Sequence, residues 1–434
     1  MRYVLNVVYA VFLSAFSPFL IYKFLTTGKY RRGLLCKFLG NVGHRAGDGS
    51  CAWFHGVSVG EIHLLRQVIA AFRRQHPNWE CVISTTTDTG FEEARKGFPD
   101  LPVFYWPLDF SWAVRRALGR MRPNLVVLAE GEIWPNFILA ASDRGVPVAT
   151  INARLSPRSG ENYDRLKWFA RPILRRIGCF CVQTQEYAEA FRKLGVDPER
   201  IHVTGSVKYD GVNGDRQSQR TRELARLLNV READRVWIAG STQAPEEEIV
   251  LEIYRRLRHQ PPHVRLIIVP RQRERFDEVA ALLERSGMPY VRRSLLSEPI
   301  GRDDPIILMD TIGELGPLWG LADVAFVGGS LDGRRGGQNM IEPAAYGAAV
   351  VFGPHVWNFK DTAARLLEAG AAVQIKDGPE LDATVRKLLS DADLRSRLGT
   401  AAQQFVRTQQ GATGRTVELL NRLIGRQQAP DLAA

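Results

Sequence analysis

From residue 51 onward one pattern repeats: a short unbroken apolar run, a turn, then a longer segment whose apolar positions recur at helical spacing. The runs fall at 51–55, 80–84, 103–106, 124–129, 147–151 and 179–183, separated by helix-length segments such as 60–75, 109–120 and 162–176. "NLVVLAE" and "VPVATIN" are continuously apolar rather than alternating, which predicts parallel strands covered by helices on both faces. Residues 206–220, "SVKYDGVNGDRQSQR", carry no periodic apolar face and predict a linker. The alternation then restarts, with runs at 236–242, 264–271, 305–311, 323–330 and 349–355, so a second α/β domain is expected. Helical periodicity over 378–390 and 392–425 predicts helices that either close the second domain or cross back to the first.

Ahead of this pattern, residues 3–22, "YVLNVVYAVFLSAFSPFLIY", contain no charge. That is the length, roughly 20 apolar residues, that crosses a hydrocarbon core. The run passes straight into "KFLTTGKYRRG" with no small-residue cleavage site, which predicts an anchor that stays attached. Lys23, Lys29, Arg31 and Arg32 follow it, and by the positive-inside rule they put the body on the cytoplasmic side. Asn6, Ser14, Ser17 and Pro18 weaken a span, and a helix lying in the membrane interface is the other reading. The expected domains are therefore 1–33 (anchor and basic collar), 34–210 and 211–434.

A length of 434 residues suits two cores. The net charge of +11 favours anionic partners: phosphorylated ligands, acidic lipid headgroups or nucleic acid. With no helix-turn-helix, zinc-finger spacing or aromatic RNA-binding signature, nucleic acid is the weakest of the three. Five cysteines scattered over apolar segments do not form a disulfide framework, and Cys179 and Cys181 read as alternation on a buried strand. His55, His63 and His355 stand singly and propose no metal.

Two doubly wound domains place function on the loops that follow their strands, in a cleft between the sheets' carboxyl ends. In the second domain "AGST", "VPR", "DTIGEL" and "FVGGS" supply backbone N–H groups, hydroxyls and arginine, the groups that hold phosphate without a metal. Arg271 could serve there or merely pair with Glu274. Glu342 could cap a helix or accept two hydrogen bonds from a ribose diol. In the first domain Glu61 follows Gly60, which would allow a tight turn at the strand end. Its carboxylate reads either as a general base raised by desolvation or as a plain acid at a helix start. Glu130 and Glu132 flank a glycine after another strand and are candidates for a second acid or base. Lys208 could counter a leaving phosphate. The hydroxyls of "STTTDTG" and Arg154 in "INARLS" suit a polar or phosphorylated acceptor.

"SVGE", "EIWPN", "NARLS", "TGSVKYD", "AGST", "VPR" followed by "ERF", "DTIGEL" and "FVGGSL" followed by "GGQNMIEPA" occur in one order along the chain. In that order they resemble the bacterial 3-deoxy-D-manno-octulosonic acid (Kdo) transferases. The resemblance implies a GT-B fold of two Rossmann-like domains. It also implies transfer of Kdo from CMP-Kdo to a lipid A precursor, lipid IVA, in lipopolysaccharide inner-core synthesis, with inversion and without metal or other cofactor. It places the enzyme at the cytoplasmic face of the inner membrane. Glu61 matches the family's proton acceptor, and Glu130 and Lys208 match its transition-state stabilisers. The CMP site falls on Pro270, Arg271, Ile312, Gly313, Glu314, Asn339, Met340, Ile341 and Glu342. Gln272 and Gln338 stand where the family commonly has histidine, so altered donor affinity or pH dependence is expected. A sugar-nucleotide epimerase and a membrane-tethered anion binder are the alternatives.

Overall fold

A computed structural model describes residues 2–27, 33–155, 167–301 and 304–428. The chain divides into two units, one formed by 1–211 with 410–434 and the other by 212–409.

The first unit is built on seven parallel strands: β1 (Cys51–His55), β2 (Glu80–Thr85), β3 (Val103–Tyr105), β4 (Leu125–Ala129), β5 (Val148–Ala153), β6 (Cys179–Val182) and β7 (Ile201–Val203). Their order is β3-β2-β1-β4-β5-β6-β7. The order reverses between β1 and β4, the point where open α/β sheets bind ligands at their carboxyl ends. Both strands are buried along their whole length. Apolar cores lie on both faces, which is why these strands read as unbroken apolar runs.

The second unit repeats the plan with β8 (Arg235–Thr242), β9 (Val264–Pro270), β10 (Tyr290–Arg292), β11 (Ile306–Leu308), β12 (Val324–Val327), β13 (Ala349–Phe352) and β14 (Ala372–Gln374). The order is β10-β11-β9-β8-β12-β13-β14, again all parallel. Its switch point lies between β8 and β12.

Two boundaries differ from expectation. The last helix, Ala412–Gln428, belongs to the first unit and not to a 211–434 domain. Its Ala412, Val417, Leu420 and Ile424 complete the core beneath the helix that carries Glu61. Asp210 receives the Gly411 and Thr413 N–H groups at its start, and Asn421 bonds His76.

The N-terminal segment forms a helix, α1 (Arg2–Thr27), but among the described residues no helix is long and apolar enough to cross a membrane. Its first turns are tied to the first unit instead. Leu5 is buried, Asn6 bonds Ser111 and Asn136, and the Tyr9 hydroxyl donates to Asp109 at 2.9 Å. Arg2 donates to the Leu139 carbonyl and pairs with Asp143. The expected collar residues Lys29, Arg31 and Arg32, and residues 162–166 of the predicted helix 162–176, lie outside the described residues.

Candidate active site

In the first unit the residues gather at the carboxyl ends of β1 and β4. After β1 the chain turns through Gly56, Val57 and Ser58 into the helix α3 (Val59–Gln75). Ser58 is the N-cap and Glu61 the third helical residue, which is the spacing of a capping box. Glu61 Oε2 accepts the Val57 N–H at 2.7 Å, and Oε1 accepts the Ser58 hydroxyl at 2.9 Å. The tight approach depends on Gly56, since a Cβ there would lie 3.0 Å from Glu61 Cβ. Gly60 makes no turn: it has no positive φ, and it lies inside the helix, where a Cβ would make ordinary contact with Ser58 Oγ at 3.9 Å.

The carboxylate of Glu61 is therefore both a helix-start acid and a fixed, nearly buried group, 8% exposed. Burial raises its pKa, the bonds from Val57 and Ser58 oppose that rise, and the charge of Glu130 adds to it. Two of the four threonines of "STTTDTG", Thr85 and Thr87, hold this loop. Thr85 and Thr87 donate to the Val57 carbonyl at 3.1 and 2.9 Å, and Thr87 also caps the helix Asp88–Gly97. His55, fully buried, stacks on Trp106 and bonds Ser84; burial pushes it down to about 3, so it is neutral.

Beyond β4, Glu130 occupies the left-handed region at φ 54°, followed by Gly131 at φ 91°. A non-glycine residue there is a strained one, and here three groups hold it. Lys208 Nζ lies 2.8 Å from Oε1, Arg154 Nη2 lies 2.9 Å from Oε2, and the Asn152 amide reaches Oε1 at 3.4 Å. Glu132 completes the group. Burial first, then the charges of Glu61 and Glu130, push its carboxyl up to about 7. The chain thus brings together Glu61, Glu130, Glu132, Arg154 and Lys208. Such a group can take a proton and balance a developing charge.

In the second unit the expected nucleotide residues form two clusters. Arg271 Nε donates to Gln338 Oε1 at 2.9 Å, and its backbone N–H bonds the Thr242 carbonyl at 3.1 Å. Gln338 is thus the partner of Arg271, a place that Glu274 does not take among the described residues. Asn339 donates to Glu342 Oε1 at 2.9 Å, and Glu342 is raised by burial against the pull of Asn339 and Arg271. Met340, Ile341 and Pro270 are buried, and the Ile341 N–H already bonds Asn339 Oδ1 at 3.1 Å. The second cluster follows β11: Ile312 is 75% exposed, Gly313 has φ 91°, and Glu314 takes Thr311, Arg220 and Arg293. The phosphate role expected of "FVGGS" fails, because its N–H groups already bond Glu246, a residue that sequence reasoning passed over. Among the described residues no cluster of three or more His, Cys, Asp or Glu could hold a metal ion.

Residues 31–211 match the family described as 3-deoxy-D-manno-octulosonic-acid transferase (kdotransferase). A 3-deoxy-D-manno-octulosonic acid transferase of Chlamydophila psittaci is 34% identical over 411 residues, 94% of this chain and 93% of that protein. The one from Haemophilus influenzae is 32% identical, covering 86% and 88%. Among solved structures, a glycosyltransferase from Rickettsia africae aligns over 87% of this chain and 99% of its own, with TM-score 0.56 and 12% identity. A UDP-GlcNAc 2-epimerase from Neisseria meningitidis aligns over 86% and 99%, with TM-score 0.57 and 12% identity. At such identities the likeness shows the fold alone, the two-unit plan of GT-B proteins, and does not separate transferase from epimerase. The relatives that match along nearly the whole sequence do: the chain belongs to the 3-deoxy-D-manno-octulosonic acid transferase family.

Proposed function

We propose that the protein transfers Kdo from CMP-Kdo to a lipid A precursor, lipid IVA, by a single inverting displacement in which Glu61 is the base. The observation that carries this reading is the fixed, desolvated Glu61 carboxylate beside the Glu130, Lys208 and Arg154 group. Glu61 would take the proton of the acceptor hydroxyl as that oxygen attacks the anomeric carbon of Kdo. The charge that grows on the departing CMP phosphate would be balanced by Lys208, the task that a metal performs in other transferases. In the second unit Glu342, held by Asn339, has the chemistry to accept the ribose diol.

Incubation with CMP-Kdo and lipid IVA in excess EDTA is expected to add whole Kdo units to the lipid mass, at the rate seen without EDTA. Loss of turnover in EDTA that magnesium restores would overturn the metal-free reading. Hydrolysis or epimerisation of the donor with no mass gain would overturn the transferase reading.

The same proposal covers the location, at the cytoplasmic face of the inner membrane. With Asn6 and Tyr9 bonded to the body, α1 turns Val4, Val7, Val8, Val11 and Phe12 outward. Phe110 packs against both Tyr9 and Phe38, and so joins this row to the exposed Leu35, Phe38 and Leu39 of α2 (Leu34–Leu39). An apolar face of this kind, on a protein of net charge +11, suits a helix lying in an anionic interface better than a span. Val8→Glu with Val11→Glu is expected to weaken sedimentation with phosphatidylglycerol vesicles by about ten-fold or more. Unchanged sedimentation, or retention of the native protein in membranes after alkaline carbonate washing, would sink the interfacial reading.

A further inference from the structure

Glu246 is the first residue of the helix Glu246–Leu257 and is fully buried, yet no cation pairs with it among the described residues. Its partners are four backbone N–H groups. Oε2 accepts from Gln243 at 2.9 Å and Gly329 at 2.7 Å; Oε1 accepts from Ser330 at 2.9 Å and Leu331 at 3.1 Å. A run of converging N–H groups after a strand is the usual cradle for an anion from outside the protein. Here the anion is built in.

Its effect is to clamp two loops, one following β8 and the other β12, the strands on either side of the switch point. The packing is close enough that a Cβ on Gly328 would lie 2.6 Å from Glu246 Oε2 and 2.7 Å from the Thr242 Cα. From each loop a short path leads to Arg271. On one side the Thr242 carbonyl receives the Arg271 N–H. On the other the Gly329 carbonyl receives the Gly337 N–H at 2.8 Å, and the next residue, Gln338, holds the Arg271 guanidinium at 2.9 Å.

We infer that Glu246 is a positioning residue for donor recognition: by filling the nest after β12 and clamping it to the loop after β8, it fixes Arg271 and Gln338 to receive the phosphate of the nucleotide. The inference rests on the proposed CMP site. It also reassigns the "GGS" N–H groups from ligand binding to internal support.

The test is CMP binding by calorimetry, with CMP itself as probe. The wild-type protein comes first, because its failure to bind CMP would sink the donor site and not the role of Glu246. Glu246→Gln puts an amide N–H₂ against backbone N–H groups, and is expected to weaken CMP by about ten-fold or more in protein still folded at the assay temperature. Gln338→Ala should weaken CMP by itself and add little in the Glu246→Gln background, because both act on Arg271 through one path. Steady-state kinetics should show the same split, with donor KM rising by about ten-fold and kcat within about three-fold. A purely structural brace would lower Tm and leave CMP affinity intact. An affinity within about two-fold of wild type, or effects of the two substitutions that simply multiply, would overturn the inference. If Glu246→Gln yields no folded protein, Glu246→Asp keeps the charge but is one methylene shorter. A folded Glu246→Asp with native CMP affinity counts against the inference equally.

Discussion

Glu61→Gln is expected to bind CMP-Kdo as the wild type does and to lose kcat by about 10³-fold. The substitution keeps the shape of the side chain. Its carbonyl can still accept the Val57 N–H, and the Ser58 hydroxyl can rotate to accept from the amide, so the capping box survives in outline. The basicity does not survive. The same residue could be no more than a helix cap, and the two roles differ in what they predict. Loss of a cap costs about 1 kcal/mol of stability and leaves turnover alone. Loss of the base costs turnover and leaves Tm nearly alone. The pH profile separates them again. A base works when ionised, so activity should fall as pH drops through its pKa. Burial and the charge of Glu130 raise that pKa above the ordinary carboxylate value. Glu132, pushed up to about 7, titrates beside it, and its ionisation makes loss of a proton from Glu61 harder. The acid limb should therefore lie above the range of an exposed glutamate and vanish in whatever activity Glu61→Gln retains. A wild-type acid limb at the usual glutamate pKa, with kcat of the variant within about ten-fold, would remove Glu61 from the chemistry.

The strands were legible where burial on both faces made them continuous. β1, β2, β4, β5 and β6, and the longer strands of the second unit, stand out as apolar runs. β7, β10 and β14, each of three residues at a sheet edge, were not visible, whereas β3, equally short and also at an edge, reads as the run 103–106. Glu61 and Glu130 were legible as charges at strand ends and Lys208 as a cation in the linker, but their relations were not. Nothing in "LAEGE" says that Glu130 takes a left-handed backbone, or that Lys208, far along the chain, closes on it. Nothing in the "APEEE" run singles out Glu246. Only the fold shows that Glu246 points inward to a loop more than eighty residues away. The N-terminal helix is the opposite case. Its uncharged run has the length of a span, and nothing in it foretells the bonding of Asn6 and Tyr9 to a surface formed by residues about a hundred positions later.

Lys208→Met is expected to lower kcat by about 10²-fold to 10³-fold while changing donor KM far less. The reasoning turns on what the ion pair is for. Lys208 is about one-third exposed, and a pair of that kind contributes up to about 1 kcal/mol to stability. If stability were its purpose, methionine, with a similar stem and no charge, would cost little. Glu130 would still hold Arg154 at 2.9 Å, so the substitution strands no buried carboxylate and the loop after β4 should keep its strained conformation. What disappears is one of the two cations, Lys208 and Arg154, that face Glu130. It is the one proposed to meet a phosphate that gains charge as it leaves. Stabilisation of this kind matters more in the transition state than in the ground state, hence a loss in kcat and not in KM. Glu130→Gln gives the complementary case: Lys208 keeps its charge but loses the carboxylate that aims it. That variant should retain more activity than Lys208→Met. The reverse order, with Lys208→Met nearly as active as wild type, would make Glu130 the working group and Lys208 only its counter-ion.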